Sequence, residues 1–382
     1  MRKYSNILSL IFTTIFIFIC INFCTGFVKN SNEVSSMQSN GLVVKSIEDN
    51  FQTLAKFDNI KYAKSSDIMV YPGGKPLGIK INTKGALVIA LSDIEIEGDK
   101  IQSPAAVSGI AVGDSILYIN GEEVKRAEDI ATYVNRAEGK ELTVDVNRKG
   151  ETLSFKVNPI LSKNDDNYKL GLWVRDSVAG VGTLTFYHKE SGIFGALGHP
   201  ITDVDTATIM SVSKGEVIGS NIVSIRKGTK GNPGELRGIF TEGNDVLGNI
   251  EVNCTSGVFG KGCDKLISSN FNKPMKIGFR NEVKEGKAQI LTTIDGGEPA
   301  LYDIVIEKLL NQSKPDGKSM IIKVIDPVCL EKTGGIIQGM SGSPIIQDNK
   351  IVGAVTHVLV NKPDTGYGIY MDWMIDQIGL ER

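Results

Sequence analysis

The feature that most constrains the fold of this chain is a long series of short apolar segments separated by glycine-containing turns. From Lys169 onward these segments follow one another at irregular spacing, and the first long helical pattern is Tyr370–Leu380. The 42 glycines among 382 residues favour turns and loops over helix interiors. Short strands joined by glycine turns are typical of a β-barrel or a β-sandwich, so we expect a mainly β architecture for residues 169–382.

A compact mixed α/β unit is predicted at residues 67–160. Apolar and polar residues alternate over Leu142–Val146 and again over Leu153–Val157, as in two strands of a hairpin. Val112–Gly121 is a further strand pattern that ends in an Asn-Gly turn. Ala127–Arg136 has the apolar periodicity of an amphipathic helix.

The α/β unit resembles a PDZ domain of the kind found in bacterial proteases. Ala105–Ile116 carries the signature of small residues followed by Gly-x-x-x-Gly-Asp-x-Ile. This resemblance implies a carboxylate-binding loop at Leu77, Gly78 and Ile79, where a peptide C-terminus adds to a strand edge. A PDZ fold used only for packing is the alternative.

The N-terminus has the pattern of an exported and anchored protein. Arg2 and Lys3 precede an apolar run over Ile7–Val28, which is long enough to span a bilayer. We therefore expect a membrane anchor at residues 1–28 with the rest of the chain outside the cytoplasm. A cleaved signal peptide is the alternative. Residues 29–66 are polar and are predicted to form a tether that proteases can reach.

Composition excludes some classes of function. The net charge is −2, which gives no reason to expect binding to nucleic acid. The chain has five cysteines but no Cys-x-x-Cys pair, so no metal site and no cofactor is expected. Cys254 and Cys263 are compatible with a disulfide outside the cytosol and equally with two free thiols.

The strongest chemical motif is Gln338–Pro344, in which Ser341 lies between glycines just before an apolar strand. Small neighbours allow a sharp backbone turn and a close approach of a substrate carbonyl. In such a loop the N–H groups of Gly339 and Ser341 can converge on an oxyanion. The motif predicts that Ser341 is a nucleophile.

A serine nucleophile needs a base, and the chain contains three histidines, His188, His199 and His357. His199 is favoured because glycines and Pro200 give it a special backbone and because two aspartates follow closely. His357 lies within an apolar strand, where packing is the simpler explanation. A carboxylate should orient the base. Spacing alone leaves open Asp203, Asp205, Asp303, Asp326 and Asp364.

Five segments carry distinctive motifs: Val181–Tyr187, Phe194–His199, Asp203–Thr206, Glu331–Gly335 and Gly339–Pro344. In these segments the chain resembles the stage IV sporulation protein B (SpoIVB) peptidase family, and the resemblance extends over essentially its whole length. The resemblance implies a chymotrypsin-like double β-barrel serine peptidase domain, preceded by the mixed α/β PDZ domain and an N-terminal transmembrane helix.

The same resemblance implies a catalytic triad of His199, Asp326 and Ser341, with Asp205 as the second choice for the acid. Asp326 is unusually near to Ser341 in the chain for this triad order. Pro200 stands where many relatives have glycine, and we expect it to stiffen the histidine loop without loss of activity.

The family resemblance also implies a role in endospore formation. Its members are serine endopeptidases of the forespore inner membrane that face the space between the two forespore membranes. They cleave themselves and a membrane-associated regulator of an intramembrane metalloprotease, which leads to late sigma-factor processing. The alternatives are an anchored PDZ scaffold on an inactive peptidase fold and a paralogue that cuts a different sporulation membrane protein.

Overall fold

The computed structural model describes residues 68–96, 98–162, 166–240, 245–296 and 298–378. The predicted anchor and tether, residues 1–28 and 29–66, lie outside these residues. Across the described ranges, no helix is both long enough and apolar enough to cross a bilayer. The architecture is mainly β, as predicted.

The strands are β1 (Met69–Pro72), β2 (Pro76–Leu91), β3 (Ile94–Ile96), β4 (Asp99–Ile101), β5 (Ser115–Ile119), β6 (Glu122–Glu123), β7 (Leu142–Arg148), β8 (Glu151–Val157), β9 (Ile160–Ser162), β10 (Asn167–Lys169), β11 (Leu172–His188), β12 (Ile193–Ala196), β13 (Lys214–Arg226), β14 (Glu235–Phe240), β15 (Val246–Cys254), β16 (Gly257–Gly262), β17 (Met275–Ile277), β18 (Gly286–Thr292), β19 (Ala300–Leu309), β20 (Met320–Val324), β21 (Pro344–Gln347), β22 (Lys350–Leu359) and β23 (Lys362–Tyr370). The helices are α1 (Pro104–Ser108), α2 (Ala127–Arg136), α3 (Pro327–Thr333) and α4 (Met371–Asp376), and Asp264–Leu266 forms a 3₁₀ turn.

Two closed β-barrels form the body of the molecule. In the first barrel, six antiparallel strands pair in the cyclic order β2, β11, β12, β16, β15, β13 and back to β2. In the second barrel, the cyclic order is β18, β19, β20, β23, β22, β21 and back to β18. Closure removes the unpaired edges that an open sheet would expose. The pairing confirms the double-barrel part of the fold prediction.

A mixed α/β unit at residues 84–174, here called the inserted unit, leaves and rejoins the first barrel. It contains β3–β10, α1 and α2, together with the adjoining ends of β2 and β11. Its core buries Leu142, Val144 and Val146 from β7 against Ile130 and Val134 from α2. Burial of each such side chain contributes about 1.5–3 kcal/mol. The predicted helix and hairpin are therefore confirmed.

The order of domains differs from the prediction. Met69–Pro72 pairs with β11 and β17, and Pro76–Asn82 pairs with β11 and β13. These residues, assigned from the sequence to a domain at 67–160, are strands of the peptidase body. The α/β unit consequently does not precede the peptidase domain but interrupts its first barrel.

The cysteines of the described residues are free thiols. Cys254 lies at the turn end of the β15–β16 hairpin, where it is paired with Gly257, and Cys263 follows the far end of β16. Six extended residues separate these ends by about 20 Å, which is too far for a disulfide. The hairpin geometry therefore excludes a disulfide between Cys254 and Cys263 and agrees with two free thiols.

Candidate active site

A cleft of about 920 Å³ brings the predicted nucleophile and the predicted base onto one surface. Its walls include Ser341, Gly339, His199 and His357. The first barrel contributes His199, which follows β12, and the second barrel contributes Ser341 just before β21 and His357 within β22. The cleft thus joins residues that are far apart in the sequence.

Two threonines of β11 hold the nucleophile loop, defined here as residues 338–343. The Thr183 N–H donates to the Ser341 carbonyl at 2.9 Å, and the Thr183 hydroxyl donates to the Gly339 carbonyl at 2.7 Å. The Thr185 hydroxyl donates to the Gly342 carbonyl at 2.8 Å. These bonds turn three carbonyls of the loop toward β11. Neither role was predicted from the sequence, although the Thr-Leu-Thr alternation within Val181–Tyr187 puts both threonines on one face of a strand.

The N–H groups of Gly339 and Ser341 remain available for a ligand. Neither donates a hydrogen bond to any acceptor among the described residues. A developing oxyanion requires N–H donors that are not already hydrogen-bonded within the protein. Both groups meet this requirement, and their oxyanion role stays a prediction.

The nucleophile loop packs directly on the segment that precedes His199. Gly342 has a φ of +96°, and a Cβ there would lie 2.1 Å from the Thr183 carbonyl oxygen and 2.4 Å from the Leu197 nitrogen. Leu197 itself has a φ of +69°, a strained value for leucine. A Cβ on Gly182 would come within 2.0 Å of the Leu197 side chain. Glycine on two sides is therefore what makes room for the turn that presents His199.

The ring of His199 is oriented by a backbone carbonyl. Its Nδ1–H donates to the Pro200 carbonyl at 2.8 Å, which leaves the lone pair on Nε2 in the neutral ring. Burial lowers the pKa of His199 below its usual value of 6.5, against the opposing effect of the Pro200 hydrogen bond. A neutral imidazole with a free Nε2 has the form that a general base needs.

The Ser341 hydroxyl does not donate to His199 in this structure. Its Oγ donates to the Thr356 carbonyl at 2.7 Å. Rotation about the Cα–Cβ bond of Ser341 has to release this hydrogen bond before a base can take the proton. The structure therefore describes a resting arrangement of the pair.

In this structure Asp326 caps a helix outside the cleft. Its side chain is the N-cap of α3, where Oδ1 accepts from the Cys329 N–H at 2.9 Å and Oδ2 accepts from the Asp303 N–H at 3.4 Å. It is not part of the cleft wall. Asp205, the second choice, pairs with Arg175 at 2.9 Å. In the part of the chain that the structure describes, no carboxylate hydrogen-bonds to His199.

His357, predicted to be a packed core residue, reaches solvent in the cleft. Its ring centroid lies 5.0 Å from that of His199, with 39° between the ring planes. Partial burial, and then repulsion from His199, lowers the pKa of His357 to about 4. The alternation of its strand gave no sign that this residue faces the cleft.

The predicted peptide-binding loop at Leu77, Gly78 and Ile79 is wrong. All three residues are paired with β11 on one side and β13 on the other, and Leu77 and Ile79 are buried in the core of the first barrel. A strand with both edges paired cannot accept a peptide by β-augmentation.

A different groove, of about 380 Å³, lies in the inserted unit between α2 and the start of β11. Apolar side chains line it from both elements, including Ile130 and Val134 on α2. Leu172–Val174 pairs with β2 on one side, and no described strand pairs with its other edge. This groove combines a free strand edge with an apolar helix face.

Two family models match the described chain. The family model described as SpoIVB peptidase S55 matches residues 166–375, more than half of the chain. The PDZ domain model matches residues 78–158. Among solved structures, the Rv3671c protease from M. tuberculosis has 14% identity and a TM-score of 0.30, over 54% of this chain and 76% of that chain. The HtrA-type protease AlgW has 11% identity and a TM-score of 0.29, over 55% of this chain and 54% of that chain.

Curated relatives match over shorter stretches. A probable periplasmic serine endoprotease DegP-like of Brucella suis is 31% identical over 165 residues, which are 41% of this chain and 29% of that protein. A putative zinc metalloprotease of Agrobacterium fabrum, Atu1380, is 33% identical over 90 residues, 23% of this chain and 24% of that protein. The chain thus spans less than a third of either relative. The family model that covers more than half of its length decides the assignment: the chain belongs to the SpoIVB peptidase S55 family.

Proposed function

We propose that the chain is a serine endopeptidase that acts in sporulation signalling, where it cleaves itself and a membrane-associated regulator of an intramembrane metalloprotease. In this proposal the enzyme is anchored in the forespore inner membrane and faces the space between the two forespore membranes. Cleavage of the regulator releases the metalloprotease for late sigma-factor processing. Membership in the SpoIVB family supports this role.

The observation that carries the chemistry is that one cleft holds Ser341, His199 and two free N–H donors. In the proposed mechanism, His199 Nε2 takes the Ser341 proton as Oγ attacks the substrate carbonyl carbon. The N–H groups of Gly339 and Ser341 bind the resulting oxyanion, and each such donor is worth about 10²–10³ in rate. The Pro200 carbonyl stabilises the imidazolium cation through Nδ1–H.

The second half of the cycle reverses the proton transfer. His199 donates its proton to the leaving amine as the C–N bond breaks, which leaves an acyl group on Ser341 Oγ. His199 then removes a proton from water as the water attacks the acyl carbonyl, and it returns that proton to Ser341 as the C–O bond breaks.

Anchoring fits a substrate that is also bound to the membrane. Confining enzyme and substrate to one surface raises their effective concentration without any additional contact. The polar residues 29–66 would then be the accessible site of self-cleavage. The groove between α2 and β11 is the proposed site for a peptide of the substrate or of a second copy.

A purified trans-cleavage experiment tests the proposal. The full-length Ser341→Ala protein, in liposomes, should remain intact alone and be cut within residues 29–66 when wild-type enzyme is added. Mass spectrometry would locate the cut. Ser154→Ala, at an exposed serine of β8, is the control and should cleave itself normally. Self-cleavage by the Ser341→Ala protein alone would contradict the mechanism.

A second experiment addresses the signalling role. Sporulating cells that carry Ser341→Ala should fail to process the late mother-cell sigma factor, while the Ser154→Ala cells process it. Normal processing in the Ser341→Ala cells, with a protein shown to be inactive in vitro, would refute the signalling role and leave the peptidase activity intact.

A further inference from the structure

We propose that Arg175 is a positioning residue for His199, acting through the loop that follows the histidine. This inference depends on the serine peptidase chemistry and not on the identity of the substrate. The histidine loop is defined here as residues 199–213, from His199 to the start of β13. Nothing in the catalytic chemistry above uses Arg175.

The guanidinium of Arg175 bridges two carboxylates of the histidine loop. Nη1 is hydrogen-bonded to Asp203 Oδ2, and Nη2 is hydrogen-bonded to Asp205 Oδ2 at 2.9 Å. The Asp203 side chain is completely buried, while Arg175 is largely buried and Asp205 is half exposed. A buried carboxylate that loses its cation is left with an uncompensated charge, which is strongly unfavourable. Arg175 is therefore required for the loop to keep its observed fold.

Asp203 in turn organises the turn that follows His199. Its Oδ1 accepts hydrogen bonds from the Asp205 N–H at 3.1 Å, the Thr206 N–H at 2.9 Å and the Thr206 hydroxyl at 3.1 Å. The Ala207 N–H donates to the Asp203 carbonyl at 2.9 Å. One carboxylate thus accepts three hydrogen bonds from the turn. If that carboxylate moves, these hydrogen bonds are lost and the turn changes its conformation.

The other side of the histidine loop is held by Asn253 of β15. Its Oδ1 accepts from the Ile201 N–H, and its Nδ2 donates to the carbonyls of Ile201 and Met210, each at 2.8 Å. Asn253 fixes one side of the histidine loop to β15. Arg175 on β11 fixes the position of the other side. Because Pro200 orients the His199 ring through its carbonyl, a shift of the loop changes the direction of Nε2.

The test measures nucleophile activation without a peptide substrate. The rate constant for labelling Ser341 with a fluorophosphonate probe would be determined for wild type, Arg175→Gln and Arg175→Lys. Arg175→Gln should lower the rate about 10- to 100-fold, because an error of about 1 Å at a catalytic group can cost 10²-fold. Arg175→Lys keeps one charged contact and should recover part of the loss.

Arg280→Gln is the matched control. Arg280 also pairs with a fully buried aspartate, Asp372, at 2.7 Å, but it lies outside the cleft. It should lower thermal stability as Arg175→Gln does and leave the labelling rate unchanged. With a peptide substrate, Arg175→Gln should lower kcat with little change in KM.

Two results would overturn the proposal: an Arg175→Gln protein that labels at the wild-type rate, or an equal loss in Arg175→Gln and Arg280→Gln. Failure of the wild-type protein to label at all is a different result, because it would refute Ser341 as the nucleophile.

Discussion

Leu197 is the residue on which the two catalytic loops depend together. Its left-handed backbone is unfavourable for a leucine, and such strain persists only where the surroundings leave no alternative. Here the side chain fills the space above Gly182, and the backbone packs against Gly342. The strained conformation of Leu197 and the conformation of the nucleophile loop therefore depend on the same packing contacts.

Gly342→Ala should show the effect of a steric clash between the two loops, beyond the cost of a positive φ for alanine. The new Cβ would lie 2.1 Å from a carbonyl oxygen, so the loops have to move apart and the labelling rate should fall at least 10²-fold. Gly150→Ala is the control, since Gly150 has a φ of +94° and open space around it. It should cost only about 1 kcal/mol in urea unfolding and leave labelling unchanged.

The pH dependence of labelling should reflect the lowered pKa of His199. Protonated His199 cannot accept the Ser341 proton, so the rate falls as the pH drops through this pKa and is constant above it. Because the pKa lies below 6.5, the labelling rate at pH 6.5 should be more than half of its value at high pH. Labelling rates measured between pH 4 and 8 test this. A midpoint above 6.5 would contradict the assignment of a buried neutral base.

At the scale of single elements, the short helix α3 bears on the role of Asp326, which is either the N-cap of this helix or the acid of the catalytic triad. Asp326 stands directly before Pro327, which occupies the first turn of the helix. An N-cap aspartate followed by proline is a common helix start, and this signal was present in the sequence. The family resemblance assigned the residue to the triad, while its hydrogen bonds assign it to the helix.

Asp326→Ser and Asp326→Ala together decide between these roles. Serine retains an acceptor for the Cys329 N–H but has no carboxylate. If Asp326 is only a cap, Asp326→Ser should keep stability and activity, and Asp326→Ala should lose about 1 kcal/mol of unfolding free energy. If it orients the base, Asp326→Ser should lower kcat about 10⁴-fold, as loss of a triad acid does. Peptide hydrolysis and urea unfolding supply the measurements.

Local sequence patterns were sufficient to predict many strands and helices. They were insufficient where the fold depends on pairing with strands that are distant in the sequence. The alternation at Leu142–Val146 and the periodicity of α2 were read correctly because each depends on neighbours in the chain. The alternation around Leu77 and Ile79 also indicated a strand, but it did not indicate which strands pair with it. Those partners, β11 and β13, begin 95 and 137 residues after Leu77, so the sequence suggested a free edge where the barrel has none.

The same limit applies to the active site. Ser341 and His199 stand in distinctive glycine-rich motifs, and the structure places them in one cleft as predicted. His357 and Arg175 lie in ordinary strand sequence, and only the packing of the two barrels and the histidine loop reveals where they point. Residues that act through long-range geometry leave no local pattern.

At the scale of the whole molecule, the inserted unit is a neighbour of the histidine loop. A Cβ on Gly113 would lie 3.5 Å from the Thr208 hydroxyl, and the Lys84 N–H donates to Ser211 Oγ at 3.2 Å. The Asp176 side chain accepts from the Ala127 N–H at the start of α2. The chain enters and leaves the unit at one place on the barrel, where the Thr83 hydroxyl donates to the Asp176 carbonyl at 3.1 Å.

Two deletions test this topology. Replacing residues 84–174 with a short Gly-Ser linker should leave both barrels closed and retain cooperative urea unfolding, because residues 83 and 176 are already adjacent. Deleting residues 67–160, the domain inferred from the sequence, removes β1 and β2 and should abolish cooperative unfolding. Equal behaviour of the two proteins would refute the insertion.

The closeness of the two chain ends of the inserted unit also bears on how the first barrel closes during folding. Pro76–Asn82 is synthesised long before either of its barrel partners, and joining it to β11 across about ninety disordered residues carries a large loop-closure entropy. Once folded, the inserted unit holds the two chain ends side by side, so most of that entropy has been lost before the barrel closes. His199 follows the whole inserted unit in the sequence, so a growing chain contains this unit before it contains its proteolytic base.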